Sequence, residues 1–422
     1  MHVRWDSGAA ATPHGQLVFF AEFLAASGVF ERWVSACPLA YSSGNAPTKR
    51  DVLGTLMLGL LAGHRRYAPI TALRGDAVAA QALGMNKVVS EDALRRALQR
   101  IDLAASTAWM RPALLHSVHE ALDKPWVLDI DASIKPLYGR QEGAEVGYNP
   151  GKPGRPSHVL HTFWVGNLRL VLDVQVSSGK QHTSVHAKAA LGRLLDELAD
   201  RRPALVRGDS GYANEGILLE LENRAQPYLL RLRQTANVQR LVAMQFARQD
   251  WSRPDNQGCQ MVEDGLQLHG WSKKRRVVIV RQRIKGGLAR ERHVHGKQLK
   301  LDLAGPSVHE GDRLWEYAVM VTDAKYPIEA IGQLYRDRAD CRVCKVRGFD
   351  ELKNQWGLSG LTTHDISRCQ TTARACALVY NWWNWCAAPP TRRPGWRPSR
   401  ADRCCWRRWD GQRTAVDKRR CT

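Results

Sequence analysis

Val127-Leu128-Asp129-Ile130-Asp131 and Ala204-Leu205-Val206-Arg207-Gly208-Asp209 are two short apolar runs that each close on an acid. Short apolar runs bounded by turn signals read as buried strands, so each acid sits at a strand tip, where a sheet meets its substrate. Between the two runs, Leu160-Thr162-Trp164 and Leu168-Leu170-Leu172-Val174-Val176 alternate as a hairpin turned at Gly166-Asn167. A helix from His186 to Ala199 follows the hairpin. After the second acid, a helix over 214–224 leads to the strand Tyr228-Leu229-Leu230-Arg231-Leu232. Two carboxylates on neighbouring strand tips suit Mg²⁺, which takes oxygen ligands and polarises phosphodiesters. Either acid alone also fits a structural role. Strand alternation puts Asp129 and Asp131 on one face, so either is the ligand and the other its support.

The order strand, hairpin, helix, acid-tipped strand, helix, strand is that of an RNase H-like α/β sheet, predicted to begin at 123 and run to 233. Upstream, residues 1–122 carry apolar side chains at helical spacing and form a helical N-terminal DNA-binding region. Within it, Arg65 and Arg66 lie in Gly63-His64-Arg65-Arg66-Tyr67. Arg95 and Arg96 lie on a helix capped by Ser90 whose apolar residues fall on the opposite side, leaving a basic face for DNA or for solvent. Downstream, residues 234–315 are rich in β signals and read as an inserted β-rich subdomain rather than a continuation of the sheet. Residues 316–385 supply a last core strand and C-terminal helices.

Composition narrows the function classes. Lys and Arg number 62 against 41 Asp and Glu, a net charge of +21, which draws the protein to polyanions. Hydrophobic residues make up 44%, enough for a real core, which excludes wholesale disorder. The longest uncharged apolar run, Leu53 to Gly63, is too short for the ~20 residues of a membrane helix. With no apolar signal core at its start, the chain is expected in the cytoplasm. The ten Cys are irregularly spaced and read as reduced thiols. Residues 386–422 differ from the rest: ten Arg and one Lys face three Asp, with Val416 the only Val, Ile, Leu, Met or Phe. Such a tail builds no core. It reads either as a basic nucleic-acid-binding arm or as the product of GC-rich DNA read out of frame.

Late in the chain, Tyr335-x-x-Arg338 precedes Phe349-Asp350-Glu351-Leu352-Lys353. Together with Leu128-Asp129-Ile130-Asp131-Ala132-Ser133, Gly147-Tyr148-Asn149-Pro150-Gly151-Lys152-Pro153-Gly154-Arg155-Pro156-Ser157-His158 and Arg207-Gly208-Asp209-Ser210-Gly211-Tyr212, this resembles the group 1 DDE transposases of bacterial insertion sequences, which carry a Y-R-E-K signature. The resemblance covers about residues 13 to 385. It implies a retroviral-integrase-like core that uses Mg²⁺, with Mn²⁺ as a substitute, to nick the element's ends and join them to target DNA. Asp131 then matches the first metal-binding acid and Asp209 the second. Tyr335, Arg338 and Lys353 would contact phosphates near the scissile bond. The partners implied are double-stranded DNA, both terminal inverted repeats and target, and a second copy of the chain when two ends are brought together.

The signature is disrupted. Three residues separate Arg from Glu in the pattern, and the residue at that position here is Arg342. Counting back from Lys353 gives Val346 instead. Asp340, Asp350 and Glu351 are the nearby acids that a local loop would have to bring in. A chain lacking the third carboxylate would be a DNA-binding remnant that occupies transposon ends without cutting them; a metal-dependent nuclease of the same fold is a third reading. Lys152, Arg155 and the run Lys273 to Arg276 are candidate phosphate contacts. Trp251 and Trp271 fit either a base-stacking platform or β-subdomain core. His158 with His161, His182 with His186, and Cys341-x-x-Cys344 have the residue types of metal sites without a complete ligand set.

Overall fold

The computed structural model describes Gly8 and residues 12–166, 168–180, 183–246, 250–283, 293–294, 297–298, 315–340, 348–358 and 360–387. The side chains of 183–185, 246, 293–294, 297–298, 339–340 and 348–350 lie outside that description, as do Arg342, Val346, the Cys341 and Cys344 pair, His182 and nearly all of the basic tail.

Local signals in the sequence set the helices before the sheet. Helix α1 (Leu17–Ser27) stops at Gly28, whose φ of +65° suits a residue without Cβ, and α2 (Val29–Ser35) starts there. Helix α3 (Lys49–Leu61) is capped by Thr48, α4 (Ala77–Ala82) by Asp76, α5 (Glu91–Gln99) by Ser90 and α6 (Leu103–Val118) by Asp102. Each side chain accepts an N–H from the first turn. No helix of the described residues is long and apolar enough to cross a membrane.

From Val127 the chain changes to strands: β1 (Val127–Pro136), β2 (Glu145–Val146), β3 (Pro156–Val165) and β4 (Leu170–Ser178). Helix α7 (Thr183–Leu198) leads to β5 (Leu205–Gly208), α8 (Glu215–Asn223) to β6 (Tyr228–Arg231), and α9 (Ala236–Phe246) to β7 (Cys259–Leu266) and β8 (Arg275–Arg283). A two-stranded piece, β9 (His293–Val294) with β10 (Lys297–Gln298), precedes β11 (Trp315–Thr322). Then come α10 (Ile328–Asp340), α11 (Gly348–Asn354) and α12 (Ile366–Ala387).

The sheet runs β4-β3-β1-β5-β6-β11-β8-β7, with β2 beside the start of β3. β1, β5 and β6 are mutually parallel, and the other ladders are antiparallel. The first five strands and their intervening helices have the RNase H-like arrangement that the sequence predicts. One expectation is corrected. β7 and β8 do not stand apart as a subdomain: β11 bonds to β6 on one side and to β8 on the other, so the β-rich insertion extends the core sheet. Valines and Ile279 alternate along β8 and β11 and feed both faces of the sheet.

One face is covered by α7 and α8. On the other, α12 runs across β4 and into the N-terminal helices, so one apolar cluster joins Trp33, Trp109 and Leu56 to Trp164, Tyr380 and Trp382. Because α12 crosses β4, an edge strand, the helix satisfies that edge with side chains. Asn381 accepts from Val171 N at 2.8 Å and donates to Val171 O at 2.7 Å, while Gln370 accepts from Val176 N and donates to Val174 O. Edge groups left bare would be a template for aggregation. Beneath them Asp173, 2% exposed, receives Arg111 from α6 and Arg374 from α12, tying helical region, sheet and last helix together.

Candidate active site

β1 and β5 run in parallel register, Asp129 opposite Arg207 and Ile130 opposite Gly208. Asp131 and Asp209 each follow that last pair, on strands that lie ~4.8 Å apart. Gly208 is required there, because a Cβ at that position would stand 2.9 Å from both Ile130 and Leu230 on the flanking strands. The acid of β5 is thereby held beside β1 without prying the sheet open.

Arg207 sets Asp129 apart from Asp131. Its Nε and Nη2 donate to the two oxygens of Asp129 at 2.7 and 2.8 Å, and Nη1 reaches the Leu334 carbonyl of α10. Both partners are buried, and the two-point pairing neutralises the Asp129 charge and takes up one lone pair on each of its oxygens, which weakens its pull on an ion. Gly166 leaves room for the pair, since a Cβ there would fall 2.2 Å from Asp129 Oδ2. Asp131 keeps 26% of its side chain exposed, 3.4 Å from Arg338 Nη2. Asp209 is half-buried and accepts the Gly211 N–H at 2.9 Å, which fixes its rotamer.

Two groups complete the cluster: Tyr212, which the sequence reading did not single out, and His161, read there as a candidate metal-site residue with His158. Tyr212, fully buried, lies close enough to feel both acids: burial first, then Asp131 and Asp209, raise its phenol well above the ordinary value. His161 Nδ1 is 3.2 Å from the Tyr212 hydroxyl. Burial, then His186, push the imidazole down to about 4, so it is neutral at physiological pH. Tyr212 was visible within Arg207-Gly208-Asp209-Ser210-Gly211-Tyr212, three residues past the acid, but nothing in the spacing showed that its hydroxyl turns back toward both strands.

Arg338 stands beside the first acid. It is 9% exposed, donates to the Ile130 carbonyl at 3.0 Å and faces Asp131. Burial opposes its charge, and Asp131, with Tyr335, Asp129 and Asp209, outweighs burial and holds the guanidinium above its ordinary value. Tyr335 is half-buried against the core cluster under α10, and Lys353 is half-exposed on α11. Glu351 lies by Arg169, Trp356 and Tyr380; burial raises its carboxyl.

The other sequence candidates divide. Arg65 is exposed, yet its guanidinium caps the Asn354 carbonyl at the end of α11. Arg66 is exposed on the same turn. Arg96 pairs with Asp92 one turn away, and Arg95 lies 6.0 Å over the ring of Tyr67. Lys152 and Arg155 are exposed and both approach Tyr138. Trp271 is buried core with Arg275 on its ring, and Trp251 is half-buried with Arg281 4.1 Å from its centroid, so these rings are occupied by protein. His158 binds the Glu142 carbonyl instead of sharing a ligand with His161. Among the described residues no group of three His, Cys, Asp or Glu could hold a metal. The two-carboxylate set still suits a hard divalent cation, because Mg²⁺ is commonly held by one or two carboxylates with water and substrate phosphate filling the rest.

Comparison with known proteins gives the chain its relatives. No curated protein matches it. Among solved structures, similarity is found to a piggyBac transposase synaptic complex with hairpin DNA, at 11% identity over 88% of this chain and 75% of that one, with a TM-score of 0.42. A Mos1 mariner paired end complex with Mn is 13% identical over 36% of this chain and 52% of that one, with a TM-score of 0.18. Residues 4–342 match the family model described as transposase DDE domain group 1. That match spans most of the sequence and takes in both acid-tipped strands: the chain belongs to the group 1 DDE-domain transposases.

Proposed function

We propose that the protein acts on the ends of a mobile DNA element, with Asp131 and Asp209 as the oxygen ligands of a divalent cation, Mg²⁺ or Mn²⁺ in its place. The observation that carries this reading is the division of labour where the β1–β5 ladder ends: Asp209 follows the end of β5, whereas β1 runs on to Pro136, so Asp131 lies within its strand and not at the tip expected from the sequence. Asp129 is neutralised by Arg207, while Asp131 and Asp209 follow the last paired residues of two parallel strands and stay open to solvent. A bound divalent cation would polarise the scissile phosphodiester and favour the oxygen that attacks it. The chain's own residues set the geometry: Gly211 N–H orients Asp209, Arg338 orients Asp131, and Tyr212 fills the space behind both. The product is a cut and rejoined strand, and two copies of the chain hold two ends together.

A second reading has its own observation. The signature position for the third carboxylate is occupied by Arg342, so the protein binds transposon ends without cutting them. A single assay separates the two. The full chain is incubated with a duplex carrying the inverted repeats that flank its coding sequence, in Mg²⁺ and in Mn²⁺. Strand nicking that disappears in Asp209→Ala supports the enzyme. Retention of the duplex with no nick in either metal supports the remnant, and nicking of DNA lacking the repeats would sink both in favour of a general nuclease.

A further inference from the structure

The end of β1 that points away from the apolar core carries a feature the strand-tip chemistry does not use. After Pro136 the chain continues in line: Leu137 is buried and donates its N–H to the Pro156 carbonyl at 2.9 Å. Tyr138 follows, with 68% of its surface exposed. Exposure of one ring is ordinary by itself; what sets Tyr138 apart is what gathers on it.

Two cations converge on this ring. Lys152 Nζ lies 4.9 Å from its centroid and donates to its hydroxyl, and Arg155 Cζ lies 4.8 Å from the same centroid. Neither arrives by chance of a loose surface chain. Lys152 N donates to Oδ1 of Asn149, a buried side chain, at 3.0 Å, and Arg155 N donates to the Lys152 carbonyl at 3.2 Å, so one compact turn sets both stems. Among the described residues neither cation pairs with a carboxylate. Within the protein these two like charges are met by the Tyr138 ring and its hydroxyl, a weak attraction at an exposed site. An anion placed between them gains charge-assisted hydrogen bonds from both and relieves their repulsion. The Lys152 hydrogen bond, with the nearby charges of Lys152 and Arg155, also holds the Tyr138 phenol below its ordinary value.

Taken with the proposed function, the position of these cations along β1 points to a DNA phosphate as the anion. β1 is one extended strand that contains Asp131 and reaches Pro136, so the seven steps from Asp131 to Tyr138 span at most roughly 23 Å at ~3.3 Å each. For a duplex laid along β1, rising ~3.4 Å per base pair, that is about seven base pairs. We propose that Tyr138, Lys152 and Arg155 form a clamp for a DNA backbone phosphate about seven base pairs from the cleaved bond, Tyr138 being the post that aligns the two cations. The clamp rests on the functional reading given above and adds to it a fixed distance from the reacting bond. Phosphate contacts of this kind set register and orientation without reading sequence.

The test uses the full chain in EDTA and a duplex carrying the flanking inverted repeat, with single methylphosphonate linkages stepped along each strand. Wild type should lose several-fold affinity when the neutral linkage falls about seven base pairs from the cleavage point. Tyr138→Ala keeps every charge, yet should weaken binding several-fold and erase that position-specific penalty, whereas Tyr138→Phe should keep most of the ring's effect. Lys152→Gln with Arg155→Gln should lower the slope of log affinity against log salt by about 1 for each phosphate that is no longer neutralised. Because all three side chains are exposed, unfolding midpoints should match wild type, which separates a binding loss from misfolding. Wild-type binding with a Tyr138→Ala profile identical to it, or a penalty that maps to other phosphates, overturns the clamp and leaves the functional reading standing. A wild-type chain that does not bind the duplex at all overturns both.

Discussion

Replacing Asp129 and Asp131 one at a time by Asn should separate stability from chemistry across two residues of the same strand. Asp129 is buried, with 10% of its side chain exposed, and its charge is met by both arms of the Arg207 guanidinium. In Asp129→Asn the Arg207 cation stays buried, at 3% exposure, with only an amide oxygen and the Leu334 carbonyl to receive it. Breaking a buried pair by removing one charge costs about 3–5 kcal/mol; an amide that still accepts one hydrogen bond places this change at the low end of that range. In Asp131→Asn a carboxylate 26% exposed and 3.4 Å from its cation is lost, and the expected cost is below about 1 kcal/mol. The order reverses for catalysis. Asp131→Asn removes a proposed metal ligand and should lower strand nicking by ~10³-fold or more, equivalent to about 4 kcal/mol of barrier, while Asp129→Asn, at temperatures where it is folded, keeps most of it. Stability is read by urea unfolding followed through tryptophan fluorescence, for which Trp126, buried beside β1, is a native reporter. The reasoning is refuted if Asp129→Asn is as stable as wild type and inactive, or if Asp131→Asn is the unstable variant; either result would make Asp129 the ligand and Arg207 a group that moves aside.

Two further outcomes follow from buried and half-buried charge. Asp173→Asn leaves Arg111 and Arg374 facing each other without their shared carboxylate, so unfolding free energy should fall by about 3–5 kcal/mol, and limited proteolysis should open the junction between α6 and α12. Glu215 gives a pH signature: burial raises its carboxyl, and hydrogen bonds from Arg275 and Ser272 overcome that and draw it down to about 2. A folded value below the ordinary 4.5 means that its contribution is present above pH 4.5 and is lost as pH falls through 2. Solvent exposure at the pair reduces that contribution to about 2 kcal/mol. Accordingly, the stability gap between wild type and Glu215→Gln, a change that leaves the Arg275 pair with Glu222 in place, should narrow as pH falls from 4.5 to 2; a gap constant over that range would show that Glu215 is not held ionised.

Much of the core was legible because its signals are local. The two apolar runs that carry the acids, the hairpin between them and the helix cap Ser90 are set by neighbours in sequence, and the structure places them in strands, a hairpin and a helix start, although β1 runs on past Asp131 to Pro136. The placement of β7 and β8 was not, because sheet membership is a long-range choice. Alternation in Val277 to Val280 says only that a strand is half or fully buried, not which edge it joins, and the joining strand, β11, comes more than thirty residues later. The same limit hid the role of Arg207. In sequence it is one basic residue before Gly208-Asp209; in space it lies opposite Asp129 in the parallel ladder, and that register is fixed by two strands separated by a hairpin and a helix.

The ambiguity between Asp129 and Asp131 therefore has a physical origin. Strand alternation puts the two acids on one face, and no local pattern can rank them. What ranks them is the cross-strand neighbour: residue 207 is two positions before Asp209 just as 129 is two before 131, so the ladder that aligns the proposed metal-binding pair also aligns the neutralised pair one step deeper in the sheet. An acidic residue beside a basic one across the ladder becomes structure, and an acidic residue beside another acidic one becomes a site for a cation, since two like charges at that spacing repel until a positive charge stands between them. Arg338, which enters from α10 against Asp131, supplies part of that positive charge in the protein itself. Its replacement by Met should then raise the cluster's demand for an external cation: Asp131 and Asp209 would bind Mn²⁺ more tightly by isothermal titration, even as the fold loses the bond to the Ile130 carbonyl. Weaker Mn²⁺ binding in that variant would show that Arg338 holds the acids in ligating geometry and that its charge is secondary.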